Sequence, residues 1–271
     1  FIWPDEDGNE TNYRPTDLFR IKVRGMAPKV SEDTLVPAEW IEAANKRWLE
    51  FTAAKKPIEG PLRLAADIAG MGTDSTCFCH RYGNYVKQFD MMQGNGQANH
   101  MQAAGRIIQL LKTAHNPSLI PSAFIDTIGE GAGVYSRLKE QSIKEQVYSV
   151  KFSEKAEWKK KPLTDKTKEY EFFNMRAYLY WCIRDWLNPF FNSEAMLPVD
   201  DELMQELTNT KYEFMSNGSI KIESKDNIKK KIKRSPDKAD ALTMTFYPAD
   251  AVAEAEQRKK QAYLLKRIYP F

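Results

Sequence analysis

The hydrophobic pattern along the chain switches between two periods, and the switches predict its elements. PAEWIEAANKRWLEFTAA carries apolar Trp40, Ile41, Ala44 and Trp48 at helical spacing, the stripe of a helix with one buried face. The remainder up to about Pro61 is rich in turn residues, as in FIWPDEDGNETNYRP, and reads as an irregular leading segment. LRLAADIAG is a short apolar run that ends at Asp67 and the glycines Gly70 and Gly72, as a buried strand does. STCFCHRY and NYVKQFDMM flank Gly83-Asn84, a hairpin turn, so three successive strands form an antiparallel meander. NHMQAAGRIIQLLKTAH returns to helical spacing through Ala104, Ile107, Ile108 and Leu111 and stops at Asn116-Pro117.

SLIPSAFIDT predicts a further strand that ends at Asp126, followed by a glycine-rich turn, a helix in VYSRLKEQ and a fifth strand in VYSVKFS. The lysine-rich stretch EKAEWKKKPLTDKTKE reads as a loop leading into a strongly apolar helix, FFNMRAYLYWCIRDWL. A short helix around ELMQEL precedes GSIKIESKDNIKKKIKR, which carries a short strand and a basic segment straight into SPDKADAL. There Ser235 is expected as the N-cap and Pro236 as the first helical residue, because a hydroxyl satisfies an orphan amide and proline has none to leave unsatisfied. Asp237 and Asp240 then share one face, while Ala241, Leu242, Met244 and Phe246 send the rest of the helix inside. Strands interleaved with helices after a leading meander predict an α/β fold with a mixed central β-sheet flanked by helices. No self-similar repeat is present.

Composition narrows the setting. With 271 residues, 42% of them hydrophobic, the chain can bury a substantial core. A net charge of +3 and a pI near 8.5 are mildly basic, so a nucleic-acid partner would have to be met by a local patch. Three cysteines, Cys77, Cys79 and Cys182, form no disulfide framework and suit a reducing compartment. No apolar run approaches the roughly 20 residues that span a bilayer, and no basic-then-apolar leader opens the chain. A first residue of Phe1 gives the expectation of a piece of a longer protein.

The acids supply the candidate chemistry. Two strands each finish on one aspartate, Asp67 and Asp126, and a late helix opens with a pair, Asp237 and Asp240. An acid at the end of a buried strand needs a solvated edge, a partner or a cation. Taken singly, each aspartate reads as a turn residue or as a helix-dipole partner. Taken together, they are expected to converge. Converging carboxylates repel and raise each other's pKa unless a cation neutralises them, and ligands that are all oxygen suit Mg²⁺ or Mn²⁺.

In this order the motifs resemble the nuclease domain of tailed-bacteriophage large terminases, which has a ribonuclease H-like fold. RIKVRGMAPKVSEDTLVPAEWIEAA looks like the junction preceding that domain, and RLAADIAGMGTDSTCFCHRYG like its first acidic strand and hairpin. FIDTIGEGAGVYSRLKE resembles the second acidic motif, FNMRAYLYW the asparagine-arginine helix with Asn174 and Arg176, and IESKDNIKKKIKRSPDKADALTMTF the closing motif. The resemblance implies a metal-dependent endonuclease that cleaves double-stranded viral DNA during genome packaging. Asp67, Asp126, Asp237 and Asp240 would be its catalytic acids and metal ligands, with Asp67 bridging and Asp74 auxiliary. Two Mg²⁺ or Mn²⁺ ions roughly 4 Å apart would activate a water and stabilise the leaving 3′ oxygen. Residues 1–58 would be the linker to an ATPase domain and residues 59–271 the nuclease domain with a basic C-terminal segment. The partners implied are double-stranded DNA, that ATPase domain, a small terminase subunit and the portal, in the cytoplasm of a bacterial host. Two alternatives stay open: a junction resolvase or transposase-like nuclease of the same fold, and a non-catalytic DNA-binding or motor-docking module.

Other signals weigh less. GEGAG sits between a strand and a helix, but no G-x-x-x-x-G-K-[ST] occurs and nucleotide binding is rejected. Glu130 in that turn could approach the metals, although a solvated turn residue is the plainer reading. Cys77, Cys79 and His80 lack a fourth zinc ligand, and strand alternation sends His80 to the face opposite both cysteines. His100 and His115 flank a helix, where exposed or capping roles are usual. Lys225, Lys229, Lys230, Lys231, Lys233 and Arg234 lead into the acidic helix and are expected to hold DNA phosphates. The loop with Lys155, Lys159, Lys160, Lys161, Lys166 and Lys168 is a weaker candidate for DNA contact, and the basic end EQRKKQAYLLKRIYPF could meet DNA, the portal or the ATPase domain.

Overall fold

The three-strand meander forms one half of a five-stranded sheet. It comprises β3 (Leu62–Asp67), β4 (Ser75–Tyr82) and β5 (Tyr85–Gln93), joined antiparallel. β6 (Ser122–Asp126) and β7 (Val147–Val150) add to the other edge of β3, both parallel, giving the order β5-β4-β3-β6-β7. β3 is thus the central strand. The structure is a computed structural model that describes residues 33–70, 75–93, 100–115 and 119–248, with the backbone of two short paired strands, β1 (Ile2–Pro4) and β2 (Glu10–Asn12). Asp74, the predicted auxiliary ligand, lies outside the described residues, as do most of the junction motif and the basic C-terminal end.

Alternation along the strands sorts the core into two layers. Leu62, Leu64, Ala66 and Phe78 face one side, where α2 (His100–Lys112) packs Ala103, Ala104, Ile107 and Leu111, and α3 (Gly131–Lys139) packs Val134 and Leu138. Ala65, Cys77, Cys79 and Phe124 face the other side, against α4 (Met175–Leu187) and α7 (Asp237–Met244). This face also receives α1 (Ala38–Ala53) through Ile41 and Ala44, preceded by fully buried Leu35 and Val36. Residues 33–58 are therefore packed on the unit that begins with β3. Among the described residues no helix is long and apolar enough to cross a membrane.

Four details differ from the expected elements. The lysine-rich stretch is not a plain loop: β8 (Glu157–Trp158) and β9 (Lys161–Pro162) pair as a hairpin. After α5 (Asp201–Asn209), a second small hairpin forms from β10 (Tyr212–Phe214) and β11 (Ile220–Ile222), and the basic segment is helical, α6 (Lys225–Ile232). Ser235 does not cap α7: the cap position is Pro236, with no side-chain cap from it. A carboxylate from another helix does that work, as Glu206 Oε2 accepts a 2.7 Å hydrogen bond from the Ala239 amide. Tertiary capping has displaced the local hydroxyl.

Candidate active site

The parallel register brings two acids to one level. Ala66 lies beside Ile125, so Asp67 and Asp126, the next residue on each strand, end adjacent strands at the same edge of the sheet. Asp67 is 9% exposed and Asp126 half-buried. Gly131 is what lets α3 start directly behind Asp126: a Cβ there would lie 1.8 Å from the Asp126 carbonyl oxygen. The GEGAG motif is thus a close-packing device at the acidic strand end.

α7 delivers the second pair. It packs across β3 and β4 on the face opposite α2 and α3, and its first turn carries Asp237 and Asp240. Its far end is held by two arginines: Arg81 donates to the Thr245 carbonyl at 2.5 Å and to Thr245 Oγ1 at 2.8 Å, and Arg63 donates to the carbonyls of Thr245 and Tyr247. Cations on the terminal carbonyls also complement the helix dipole.

The acids meet on one ammonium. Lys225 Nζ lies 3.1 Å from Asp67 Oδ2, 3.0 Å from Asp240 Oδ2 and 3.5 Å from Asp237 Oδ1. Lys225 is the first residue of α6, where the helix dipole disfavours a cation. Three carboxylates outweigh that penalty. Asp240, 1% exposed, is fixed from behind: Arg176 donates to Oδ1 at 2.5 Å and the Tyr180 hydroxyl to the same oxygen at 2.7 Å. Arg176 and Tyr180 are one turn apart on α4, and Asn174 caps that helix through the Ala177 amide at 3.0 Å.

Burial and charge set the protonation states. Burial pushes the Asp67 carboxyl up to about 7, opposed by the Lys225 ammonium and reinforced by Asp240 and Asp237. Burial likewise raises Asp126 to about 6, against the Ile128 amide that donates to its Oδ1 at 3.0 Å. Burial alone would raise Asp240 too, but Arg176 and Lys225 hold it below the usual carboxylate range. The neighbouring carboxylates, Asp240 first, overcome the desolvation of Lys225 and keep it protonated.

The donor set fits a hard divalent cation. It is all carboxylate oxygen, largely withdrawn from water, and it already requires positive charge to ionise. Asp240 Oδ2 is buried and faces the Lys225 ammonium at 3.0 Å, the position a metal cation would take over. Among the described residues no group of three or more histidine, cysteine or carboxylate side chains is closed tightly enough to hold a metal ion as it stands. The Lys225 ammonium lies between the carboxylates.

The basic segment divides into two kinds of residue. Lys225 belongs to the acid cluster. Lys231 pairs with Glu223 at 2.6 Å, and Arg234 with Glu206 and the Glu202 carbonyl. Lys229, Lys230 and Lys233 are exposed. Lys229 and Lys233 line a cleft of about 450 Å³ that also takes in Asp237, Glu206, Arg234 and Lys238. A larger cleft, about 690 Å³, lies by Gly60 and the Gly83 turn, at the opposite end of β3 from Asp67.

The remaining candidates are engaged elsewhere. Glu130 pairs with His100 Nε2 at 2.7 Å, and His115 contacts Lys87 Nζ at 2.8 Å. His80 is buried 3.2 Å from Asp90, while Cys77 and Cys79 sit in the other core layer, as alternation requires. Sequence reasoning did not single out Tyr180 or Glu206. Tyr180 had a signal, a polar atom four residues after Arg176 on an apolar helix. Glu206 had none.

No protein-family model matches the chain, and no curated protein matches it by sequence. Solved structures do match. The nuclease domain of the large terminase subunit gp2 of bacterial virus Sf6 aligns with a TM-score of 0.60 at 22% identity, covering 80% of this chain and 100% of that one. A mutant of that domain with manganese and beta-thujaplicinol gives the same values. A mutant form with calcium aligns at a TM-score of 0.60 and 21% identity, over 79% of this chain and 99% of that one. The chain therefore has the ribonuclease H-like fold of these large terminase nuclease domains.

Proposed function

We propose that this chain is a divalent-metal-dependent endonuclease for double-stranded DNA, acting in viral genome packaging as a large terminase nuclease. The observation that carries this reading is the convergence of Asp67, Asp237 and Asp240 on one half-buried cation, Lys225, with Asp126 ending the adjacent strand at the same level. The fold shared with solved terminase nuclease domains, one of them a mutant with manganese, supports it. So does the motif order, which runs from the first acidic strand to the helix that carries the closing pair.

In this reading Asp67, Asp126 and Asp240 hold the metals, and Asp237, further from Lys225, completes the site from its rim. Mg²⁺ or Mn²⁺ bound there would supply a nucleophilic water at neutral pH and charge stabilisation at the leaving 3′ oxygen. The protein's part is positional. Arg176 and Tyr180 occupy one oxygen of Asp240, so that its other oxygen faces the cluster in a fixed orientation. The Ile128 amide does the same for Asp126. Lys225 balances the carboxylates until metal takes over that charge, and it is then available to a phosphate. Lys229, Lys230 and Lys233 extend the positive surface from the cleft beside Asp237, contacts that position a duplex without reading its sequence. Residues 59–271 form the nuclease unit, and residues 1–58 join it to an ATPase domain of the packaging motor, with residues 33–58 resting on the nuclease.

The test is cleavage of supercoiled plasmid by the purified chain in Mn²⁺, Mg²⁺ or EDTA, beside folded Asp67→Asn and Asp126→Asn proteins. Nicking and degradation that need metal and vanish in both variants are expected. Full activity in either variant would refute the assigned site.

A further inference from the structure

Every non-glycine residue at positive φ among the described residues is a lysine, and three of the five fall in one short segment: Lys159 (φ 52°), Lys160 (φ 63°) and Lys168 (φ 63°). Lys159 and Lys160 are the two central residues of the β8–β9 hairpin, whose register pairs Trp158 with Lys161. A two-residue hairpin turn with positive φ at both positions is ordinarily built from Asn-Gly, because a Cβ is disfavoured in that conformation. Two adjacent lysines there forgo local stability and present charge at the tip. Residues 151–168 contain seven lysines against three acids, an excess of +4 in a chain whose net charge is +3.

The tip is held, not loose. Trp158 meets Tyr247 edge to face at 5.8 Å, and the Leu163 amide donates to the Ala156 carbonyl at 2.8 Å. Asp165, just beyond the hairpin, accepts from the amides of Thr167, Glu169 and Tyr170. At the other end, the Phe152 and Glu154 carbonyls accept from the Arg176 and Met175 amides, at 3.0 and 2.7 Å. The hairpin is thereby rooted on the residue that holds Asp240. From that root to the tip is at most about 20 Å of extended chain, the scale of half a turn of duplex.

We propose that the β8–β9 hairpin is a second duplex-contacting element, a rigid finger whose tip lysines bind the phosphate backbone of the DNA being cut. The inference rests on the nuclease reading and adds a footprint to it. Fixed geometry reduces the ordering cost of the contact, and paired ammonium groups on a turn suit adjacent phosphates, which carry no sequence information.

The Lys159→Asn/Lys160→Gly double variant separates this role from a structural one, because it installs the residues the turn prefers. Binding of a 30-base-pair duplex in EDTA is measured by fluorescence anisotropy from about 50 to 200 mM salt, with thermal unfolding alongside. The melting temperature is expected to rise by about 2–4 °C. DNA affinity at about 0.1 M salt is expected to fall roughly tenfold or more, with the slope of log K against log salt shallower by about 2. Unchanged affinity and slope in a variant whose parent binds DNA and cuts it in Mn²⁺ would overturn the finger alone. A parent that neither binds duplex nor cuts it would overturn the nuclease reading and the finger with it.

Discussion

Asp240 shows how much one side chain can depend on its partners. Nearly all of it is buried, and its charge is tolerated because Arg176 and Tyr180 bond one oxygen while Lys225 faces the other. Removing one member of a buried ion pair leaves an uncompensated charge, a loss of about 3–5 kcal/mol. Arg176→Met should therefore destabilise the metal-free protein by about that amount in urea unfolding, and added Mn²⁺ should recover part of it. Asp67 makes the opposite prediction for pH. Its folded pKa, about 7, lies above that of an unfolded aspartate. Between those values the folded state holds a proton that the unfolded state has lost, so this group's contribution to stability falls as pH rises from about 4 to about 7. Asp67→Asn should flatten that part of the stability profile. A metal that binds the ionised form must displace the proton, so Mn²⁺ uptake should strengthen from pH 6 to 7 and release protons, measurable by calorimetry in buffers of different ionisation enthalpy. The four aspartates were legible in the sequence through their combination and order, since each alone is an ordinary turn or helix-start acid. Lys225 was legible only as one basic residue among six. Its place among three carboxylates depends on how α6 meets α7, which no local pattern encodes.

At the scale of elements, strands and helices with clear periods follow the sequence closely, since burial on one face is what both pattern and structure express. β8, β9 and β10 escaped because strands of two or three residues carry too little alternation to register, and the turn at Lys159-Lys160 lacks the expected residues, whereas β11 is the short strand expected in GSIKIESK. The start of α7 was misassigned for a related reason: Ser235-Pro236 is a sound local cap, yet Glu206 on α5 reaches the Ala239 amide instead. Burial raises Glu206 to about 7, so its proton and its pairing with Arg234 both bear on the first turn of α7. Glu206→Ala should lower stability by about 2–4 kcal/mol and weaken Mn²⁺ binding, because the turn that carries Asp237 and Asp240 loses its cap. Gly131→Ala should cost about 3 kcal/mol, since its Cβ must push α3 away from the Asp126 carbonyl. Denaturant unfolding checks both.

The whole molecule places its acids at one edge of a rigid sheet and sets basic elements around them. A net charge of +3 does not steer a protein to DNA; in the proposed reading the exposed lysines beside the acidic edge supply that attraction locally. Reversing Lys229 and Lys230 to glutamate should weaken duplex binding and flatten its salt dependence by about 2 in log–log slope. Unchanged isotherms would remove α6 from the interface. The fold class was legible because meander, parallel additions and flanking helices each leave a pattern, whereas the packing of α6 and α7 on α5 and the rooting of the hairpin on α4 are products of tertiary packing. The most direct test of the account is anomalous diffraction from crystals soaked in Mn²⁺. It predicts manganese bonded to Asp67, with Asp126 and Asp240 completing the site and Lys225 Nζ moved away from its present contacts. A folded protein whose acid cluster stays free of manganese at millimolar concentration, with Lys225 still seated among the carboxylates, would contradict it.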